Sequence, residues 1–433
     1  MNKIIASAGA VALGLLGMQG AYAAPQVESS EKALPWLSAS LSVRGFYDDN
    51  INSSSRPYYK DSWGMQVVPS VGLKYQDDAT LASARYEYGY TWYADRKPHD
   101  DQSHLVDAVF SHQFNDNVRV DVSDSFAVAQ EGSVLSDFGG AQLMTRADGD
   151  NIRNFAQILL GVKYYENLGF EIGYRNALWD FDNDEYAFIL NRMEHTPHLD
   201  FYYDLDEINR FFIGYEMNYS DYTGSGNRPL TDKYGSWVGF YESDLYDRMS
   251  HAGYLGYRLT LAEGLDWTTR AGAQYTYFEN VKDYKKTYAD LGLERDTTNP
   301  FVESTLTWNY LENCSAQLGV RHAIAASQWG AMDSEVTTVY ASIRHQILDR
   351  LEGAISGVYQ HSSYGKSPSG GVNDNARDDY YSVGPSLSFR ITGMDAPVGV
   401  FVDASYSYDD LVSNIRNRSY NRNRVTLGLR ATY

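Results

Sequence analysis

The chain has 433 residues, with 36 Lys and Arg against 56 Asp and Glu and a formal net charge of −20. That balance excludes a nucleic-acid binder, whose phosphate partners would be repelled. A single cysteine, Cys314, excludes an internal disulfide, and beyond the amino terminus no stretch approaches the ~18 consecutive apolar residues of a membrane helix.

In chain order, Met1-Asn2-Lys3 is a short basic start, Ile4 to Met18 is apolar and small, and Ala21-Tyr22-Ala23 is an A-x-A cleavage site. Residues 1–23 therefore read as a secretory signal peptide. No cysteine follows the site, so a lipoprotein is not expected. Residues 24–35 form a polar lead-in, read as a periplasmic tail, and residues 36–433 carry one continuous pattern. In the first run Leu37, Ala39, Leu41 and Val43 alternate with Ser38, Ser40, Ser42 and Arg44. A strand sends successive side chains to opposite faces, so one face is apolar and the other polar. The clearest run has Ala82, Ala84, Tyr86, Tyr88, Tyr90 and Trp92 alternating with Ser83, Arg85, Glu87 and Thr91.

The expected strands are 36–47, 63–76, 80–93, 103–114, 117–129, 153–166, 168–180, 186–204, 207–222, 248–261, 264–278, 300–311, 313–326, 335–348, 350–364, 379–391, 398–410 and 420–433. Their connections alternate between short and long. Asn115-Asp116, Ala262-Glu263 and Asp349 are short, whereas 48–62, 130–152, 223–247, 281–299 and 365–378 are long. Short turns at one end and long loops at the other are the layout of outer-membrane barrels. The 37 tyrosines and 8 tryptophans fit the same reading, because these rings sit well where hydrocarbon meets headgroups. Tyr47, Trp92, Tyr219, Tyr277 and Tyr408 fall near the loop ends, and Tyr75, Tyr164, Trp308, Tyr310 and Tyr433 near the turn ends. The expected fold is all-β: a transmembrane antiparallel up-and-down β-barrel of about 18 strands, or 16 if two weaker segments are not strands.

In the last strand Val425, Leu427, Leu429, Ala431 and Tyr433 share one parity. It resembles the terminal strand of bacterial outer-membrane barrels, in which an aromatic end is the signal for assembly. That resemblance gives Leu427, Leu429 and Tyr433 the role of assembly signal, with Tyr433 departing from the commoner Phe. Tyr47-Asp48-Asp49-Asn50-Ile51, Val68-Pro69-Ser70-Val71-Gly72-Leu73 and Asp121-Val122-Ser123-Asp124-Ser125-Phe126 resemble the porin 2-like β-barrel families of Gram-negative outer membranes. This resemblance covers about the first 130 residues. It implies an outer-membrane barrel acting as a pore, and it supplies no catalytic residues.

The polar parity holds Arg44, Arg85, Glu87, Arg119, Asp121, Arg175, Arg270, Glu303, Arg321, Arg344, Arg390 and Arg430, expected to line the lumen. Its signs nearly balance, which assigns the net negative charge mainly to loops and turns. A barrel of 16 to 18 strands leaves an aqueous channel; a lumen closed by ion pairs is the bland alternative. The loop 130–152 keeps Val134, Leu135, Phe138, Leu143 and Met144. By analogy with classical porins it folds inward as a constriction, bringing Glu131, Asp137 and Asp148 to the narrowest point; packing on neighbouring loops is the alternative. His99, Asp100, Asp101 and His104, and Asp48 with Asp49, are the only clusters that suggest an enzyme or a weak metal site. None forms a recognised motif, so no catalytic residue, cofactor or metal is expected. Cys314 reads as a small hydrophobe. Expected partners are outer-membrane lipids and lipopolysaccharide, the barrel-assembly machinery and small polar solutes, with a homo-oligomer compatible. A barrel with a structural, adhesive or polysaccharide-export role is the second reading.

Overall fold

The alternation becomes a continuous set of hydrogen-bonded ladders in the computed structural model, which describes residues 34–97, 100–129, 133–138, 141–146, 150–231, 237–282, 293–326, 331–366 and 376–433. The expected signal peptide and residues 24–33 of the expected tail lie outside the described residues.

The strands are β1 (Leu37–Asp48), β2 (Ser62–Gln76), β3 (Thr80–Tyr93), β4 (Asp100–Asn115), β5 (Val118–Ala129), β6 (Ser133–Phe138), β7 (Ala141–Arg146), β8 (Asn151–Tyr165), β9 (Leu168–Phe181), β10 (Arg192–Asp204), β11 (Asn209–Tyr222), β12 (Arg228–Thr231), β13 (Trp237–Tyr241), β14 (Arg248–Ala262), β15 (Leu265–Phe278), β16 (Asp296–Leu311), β17 (Cys314–Ala325), β18 (Ser334–Leu348), β19 (Leu351–Tyr364), β20 (Arg377–Arg390), β21 (Gly399–Ser413) and β22 (Tyr420–Thr432). Four of them, β6 with β7 and β12 with β13, are hairpins within long loops. The others form one 18-stranded sheet in which each strand pairs antiparallel with the next, and β22 returns to β1. Closure matters because an open edge would leave backbone donors and acceptors unpaired in hydrocarbon.

The two faces separate as the alternation requires. In β22, Leu427 and Leu429 are 61% and 56% exposed, while Thr426 and Arg430 on either side of them are 5% and 8% exposed. Apolar side chains therefore point outward and polar ones into the barrel. This inversion of a soluble fold is what a lipid surround selects.

One expected strand begins too early. Residues 184–190 form a short helix, α1 (Asp184–Leu190), and β10 starts only at Arg192. The backbone N–H groups of Tyr186 and Ala187 donate to the Asn183 carbonyl. Asp182-Asn183-Asp184 was a legible helix-start signal, masked by the apolar run that follows it. That run is buried because α1 belongs to a cap at the loop end of the barrel. Phe188, Tyr222, Tyr241, Leu245, Tyr246, Phe278, Leu293 and Met332 pack there as one apolar cluster. Asp247 is built into the cap: its carboxylate accepts from the Tyr222 backbone N–H at 2.8 Å and from Asn280 Nδ2 at 3.2 Å. Burial pushes the Asp247 carboxyl up to about 7.

The β1–β22 seam is fastened at both ends. At the turn end, Ala39 and Tyr433 exchange backbone hydrogen bonds of 3.1 and 2.8 Å. At the loop end, Arg422 grips the Asp48 carboxylate through Nε at 2.9 Å and Nη2 at 2.5 Å. Asn423 donates from both its backbone N and its Nδ2 to Asp49, each at 2.7 Å. Asn50 Nδ2 donates to the Asn421 carbonyl at 2.9 Å. The Tyr47–Ile51 stretch thus carries the clasp that joins the first strand to the last.

Candidate functional site

The space enclosed by the sheet is the candidate site. Register places all twelve expected lumen residues on the inward parity. Arg85 faces Asp107 across β3 and β4, Arg270 faces Glu303, Glu303 faces Arg321, and Arg44 faces Gly428. Several are paired two residues along the same strand, because a period of two returns a side chain to the same face. Arg85 meets Glu87, and Arg119 Nε lies 2.8 Å from Asp121. Arg192 and Glu194 repeat the arrangement at 2.7 Å. An Arg-x-acid spacing on the polar parity was the legible signal for this pairing. Other pairs cross strands: Arg430 meets Asp403 at 2.8 Å and Arg344 meets Glu352 at 3.5 Å. Arg390 donates to the Met394 carbonyl at 3.2 Å.

At mid-height, one wall carries a chain of charges no single-strand pattern announces. Arg175 of β9 meets Glu216 of β11 at 2.5 Å. Glu216 is 4.0 Å from Arg270 of β15, which meets Glu303 of β16 at 2.9 Å. Glu303 is 3.9 Å from Arg321 of β17. The Arg270 guanidinium also lies over Tyr254 and Phe301, at 4.9 and 5.2 Å from the ring centroids. Each cation thus has an anion, and Arg270 ring faces as well, in place of the water it lost.

The same wall lays its large side chains flat. A Cβ at Gly214 would fall 2.2 Å from Tyr254, one at Gly173 would strike His198, and one at Gly319 would fall 2.2 Å from Tyr340. Glycine on the inward face of one strand is therefore the bed on which an aromatic ring from the neighbouring strand rests. The rings cover the wall and do not project into the lumen.

The facing wall differs. From β18 round to β2, inward positions include Ser342, Ser356, Ser382, Ser386, Ser405, Thr426, Ser42, Ser40 and Ser70, of which Ser342 faces Ser356, Ser405 faces both Ser386 and Thr426, and Ser40 faces Ser70. The Ser40 and Ser70 hydroxyls are 2.7 Å apart.

In the expected constriction loop, Glu131 and Asp148 lie outside the described residues, and for Asp137 only the backbone is described. The sequence showed a loop here, whereas residues 133–146 contain the β6–β7 hairpin. Within the barrel β5 and β8 are neighbours, yet backbone atoms of β7 approach β17, β18 and β19, on the far side of the ring.

The clusters weighed for chemistry are dispersed. His99 lies outside the described residues. Asp100, Asp101 and His104 are all in β4, which begins at Asp100, three residues before the expected strand at 103. Asp101 points inward and is bound by Arg96, while His104 points outward against Tyr86. Asp48 and Asp49 serve the seam. Among the described residues no group of three or more His, Cys, Asp or Glu is placed to hold a metal ion. Cys314 is buried, with the Gln346 backbone N–H directed at its sulfur at 3.3 Å.

A closed antiparallel barrel, apolar outside and charged within, defines a transmembrane β-barrel, and that is the class of this protein. Residues 284–433 match the model of the family described as "Putative beta-barrel porin 2". The match covers β16 to β22, whereas the motifs that carry the resemblance lie in the first 130 residues. No curated protein matches the chain. Among solved structures it is similar to Pseudomonas aeruginosa OpdQ, at 10% identity and a TM-score of 0.42, covering 92% of this chain and 97% of that one. Pseudomonas aeruginosa OccK9 (OpdG) follows at 11% identity and 0.43, covering 92% and 98%. Pseudomonas aeruginosa OccK2 (OpdF) in complex with glucuronate stands at 10% identity and 0.42, covering 93% and 98%.

Proposed function

We propose that this protein is a non-enzymatic outer-membrane channel through which small polar solutes diffuse passively. The observation that carries the reading is the inner face. Its cations are paired within the wall, its rings lie on glycine, and its opposite side is hydroxylated. Such a surface holds water without a plug of side chains. Selectivity comes from lumen charge and size, not from tight binding. The excess of acids over bases along the chain, set against a nearly neutral lumen, gives the mouth a negative field. That field favours cations weakly and is screened over about 8 Å at physiological salt.

The 130–152 loop is the constriction in this reading, with Glu131, Asp137 and Asp148 at its edge. The reach of β7 to β17, β18 and β19 supports it. Export by a signal peptide, recognition of Leu427, Leu429 and Tyr433 by the barrel-assembly machinery, and a surround of outer-membrane lipids and lipopolysaccharide belong to the same proposal, with homo-oligomers compatible. The packed cap of α1 and the β12–β13 loop favours a second reading. In it the loop end is the functional surface of a structural, adhesive or polysaccharide-export barrel.

Planar-bilayer recording separates the two. Ion flow should be stepwise, with a weak cation preference at low salt that fades at high salt. Deleting residues 133–147 should raise the unit conductance. No conductance from folded protein would reject the channel, and unchanged conductance after the deletion would place the loop outside the pore.

A further inference from the structure

On the outward face near the loop end, two histidines repeat one arrangement. His195 of β10 and His251 of β14 each stand three residues inside the loop end of their strands, which begin at Arg192 and Arg248. His195 Nδ1 is 2.6 Å from the Tyr174 hydroxyl, and His251 Nδ1 is 2.6 Å from the Tyr215 hydroxyl. A second tyrosine flanks each imidazole nearly parallel: Tyr219 at 6.4 Å and 15° beside His195, and Tyr277 at 6.0 Å and 17° beside His251. The two sets are contiguous on β9, β10, β11, β14 and β15, with β11 supplying a tyrosine to each.

At His195 the hydrogen bonds fix which nitrogen carries the proton. Asn176 Nδ2 also approaches His195 Nδ1, at 3.4 Å. An amide N–H can only donate, so Nδ1 is the acceptor and the Tyr174 hydroxyl donates to it as well. The neutral imidazole then holds its proton on Nε2, which is the nitrogen remote from the tyrosine hydroxyl. The Tyr215 hydroxyl meets His251 Nδ1 at the same distance, and that likeness alone, with no amide beside it, extends the assignment to His251. His104 meets the Tyr86 hydroxyl at 2.9 Å and His345, at the turn end, meets the Tyr310 hydroxyl at 3.1 Å, whereas two other outward histidines near the loop end are arranged differently. His322 and His361 lie 3.3 and 2.8 Å from the carboxylates of Glu335 and Asp379, so a carboxylate already takes their proton.

Height identifies the partner. Strands of about 14 residues rising about 3.3 Å each at a tilt of about 40° span roughly 35 Å, against an apolar band of roughly 25 Å. A residue three positions from the loop end therefore stands at the border between hydrocarbon and headgroups. What lies there in an outer leaflet is the phosphorylated sugar of a glycolipid. We propose that the two tyrosine–histidine–tyrosine sets bind the phosphate groups of that glycolipid, each through an Nε2–H directed outward. The inference rests on outer-membrane placement and not on ion flow, so a barrel that binds the glycolipid without conducting leaves it standing.

The full-length protein in detergent is tested by native mass spectrometry with diphosphorylated lipid A, with the same lipid stripped of phosphate, and with inorganic phosphate. The wild type should retain the phosphorylated lipid. The double variant H195F/H251F keeps the rings and loses the donors, so retention should fall about tenfold or more, the equivalent of one hydrogen bond to a charged group. Y174F/Y215F, which releases the proton from Nε2 without removing the imidazole, should fall by less. A heat-dependent shift in gel migration shows that each variant still forms a barrel. Equal retention by wild type and H195F/H251F would overturn the proposal. So would retention of the stripped lipid as well as the phosphorylated one, binding of inorganic phosphate alone, or a substitution that dissociates oligomers while leaving lipid retention intact, which would assign the patch to a second copy of the chain.

Discussion

The two walls of the lumen meet the same requirement, a polar surface facing water, by different means. The wall from β9 to β17 uses large groups and immobilises them. Arg175, Glu216, Arg270, Glu303 and Arg321 bind one another, and Tyr254, His198 and, from the adjoining β18, Tyr340 rest on its glycines. The wall from β18 to β2 sets small hydroxyls, as at Ser386, Ser405 and Thr426, between ion pairs such as Arg344–Glu352 and Arg430–Asp403. The difference teaches where tolerance lies. A wall of interlocked charges loses several interactions when one residue changes, whereas a wall of serines loses little.

The largest effect expected from breaking this contrast is at Glu216. Glu216→Ala leaves Arg175 and Arg270 without their shared anion. Removing one partner of a buried pair costs about 3–5 kcal/mol, so the urea midpoint for unfolding from lipid should drop sharply and permeation should shift towards anions. An unchanged midpoint would show that water, not Glu216, compensates these cations. Next is Gly214→Leu, which removes the bed beneath Tyr254. Overpacking of this kind costs about 1–3 kcal/mol, and the displaced ring should lower single-channel current; equal current would mean the ring finds another place on the wall.

The third test concerns the cap above the charged wall. Asp247 carries a carboxyl raised to about 7 by burial. A raised carboxyl binds its proton more tightly folded than unfolded, so its contribution is complete below about 4 and lost as pH climbs through about 7. Protease cleavage within the cap loops should therefore speed up progressively between about pH 4 and pH 7 and level off above that. Asp247→Asn, which is always neutral, should flatten that profile, and a profile unaltered by the substitution would place the titration elsewhere. The smallest effect is expected on the serine wall, where Ser405→Ala should move stability by less than about 0.5 kcal/mol; a larger loss would show that the hydroxyls form a network after all.

The barrel was legible because its signal is local. Each strand announces itself by a period of two, and Leu427, Leu429 and Arg430 declare their faces without reference to any other strand. What escaped depends on partners remote in the chain. Glu216 serves Arg175 and Arg270 only because β9, β11 and β15 come together on one wall, and no spacing within a strand reveals that. Gly214 reads as a weak point of β11 until Tyr254 is seen lying on it. The 184–190 helix was missed because a short apolar run looks alike in a strand and in a buried helix, and its burial is decided by loops that meet it only in the cap. The charges of a single strand share one parity in the sequence, whereas their pairing across strands depends on a register that no one strand contains.

The clasp between Asp48 and Arg422 joins residues 374 positions apart, and this bears on the order of events in time. Every other ladder of the barrel unites strands adjacent along the ring and close in the chain, so each can zip onto its predecessor as the polypeptide is delivered. The β1–β22 ladder cannot begin until the last strand has arrived, and it carries the greatest loop entropy of all the pairings. The first strand must therefore wait with a bare edge for the whole duration of chain delivery. A chain interrupted before β22 can never discharge that edge, so the seam doubles as a check on delivery: only a molecule whose β22 has arrived can seal.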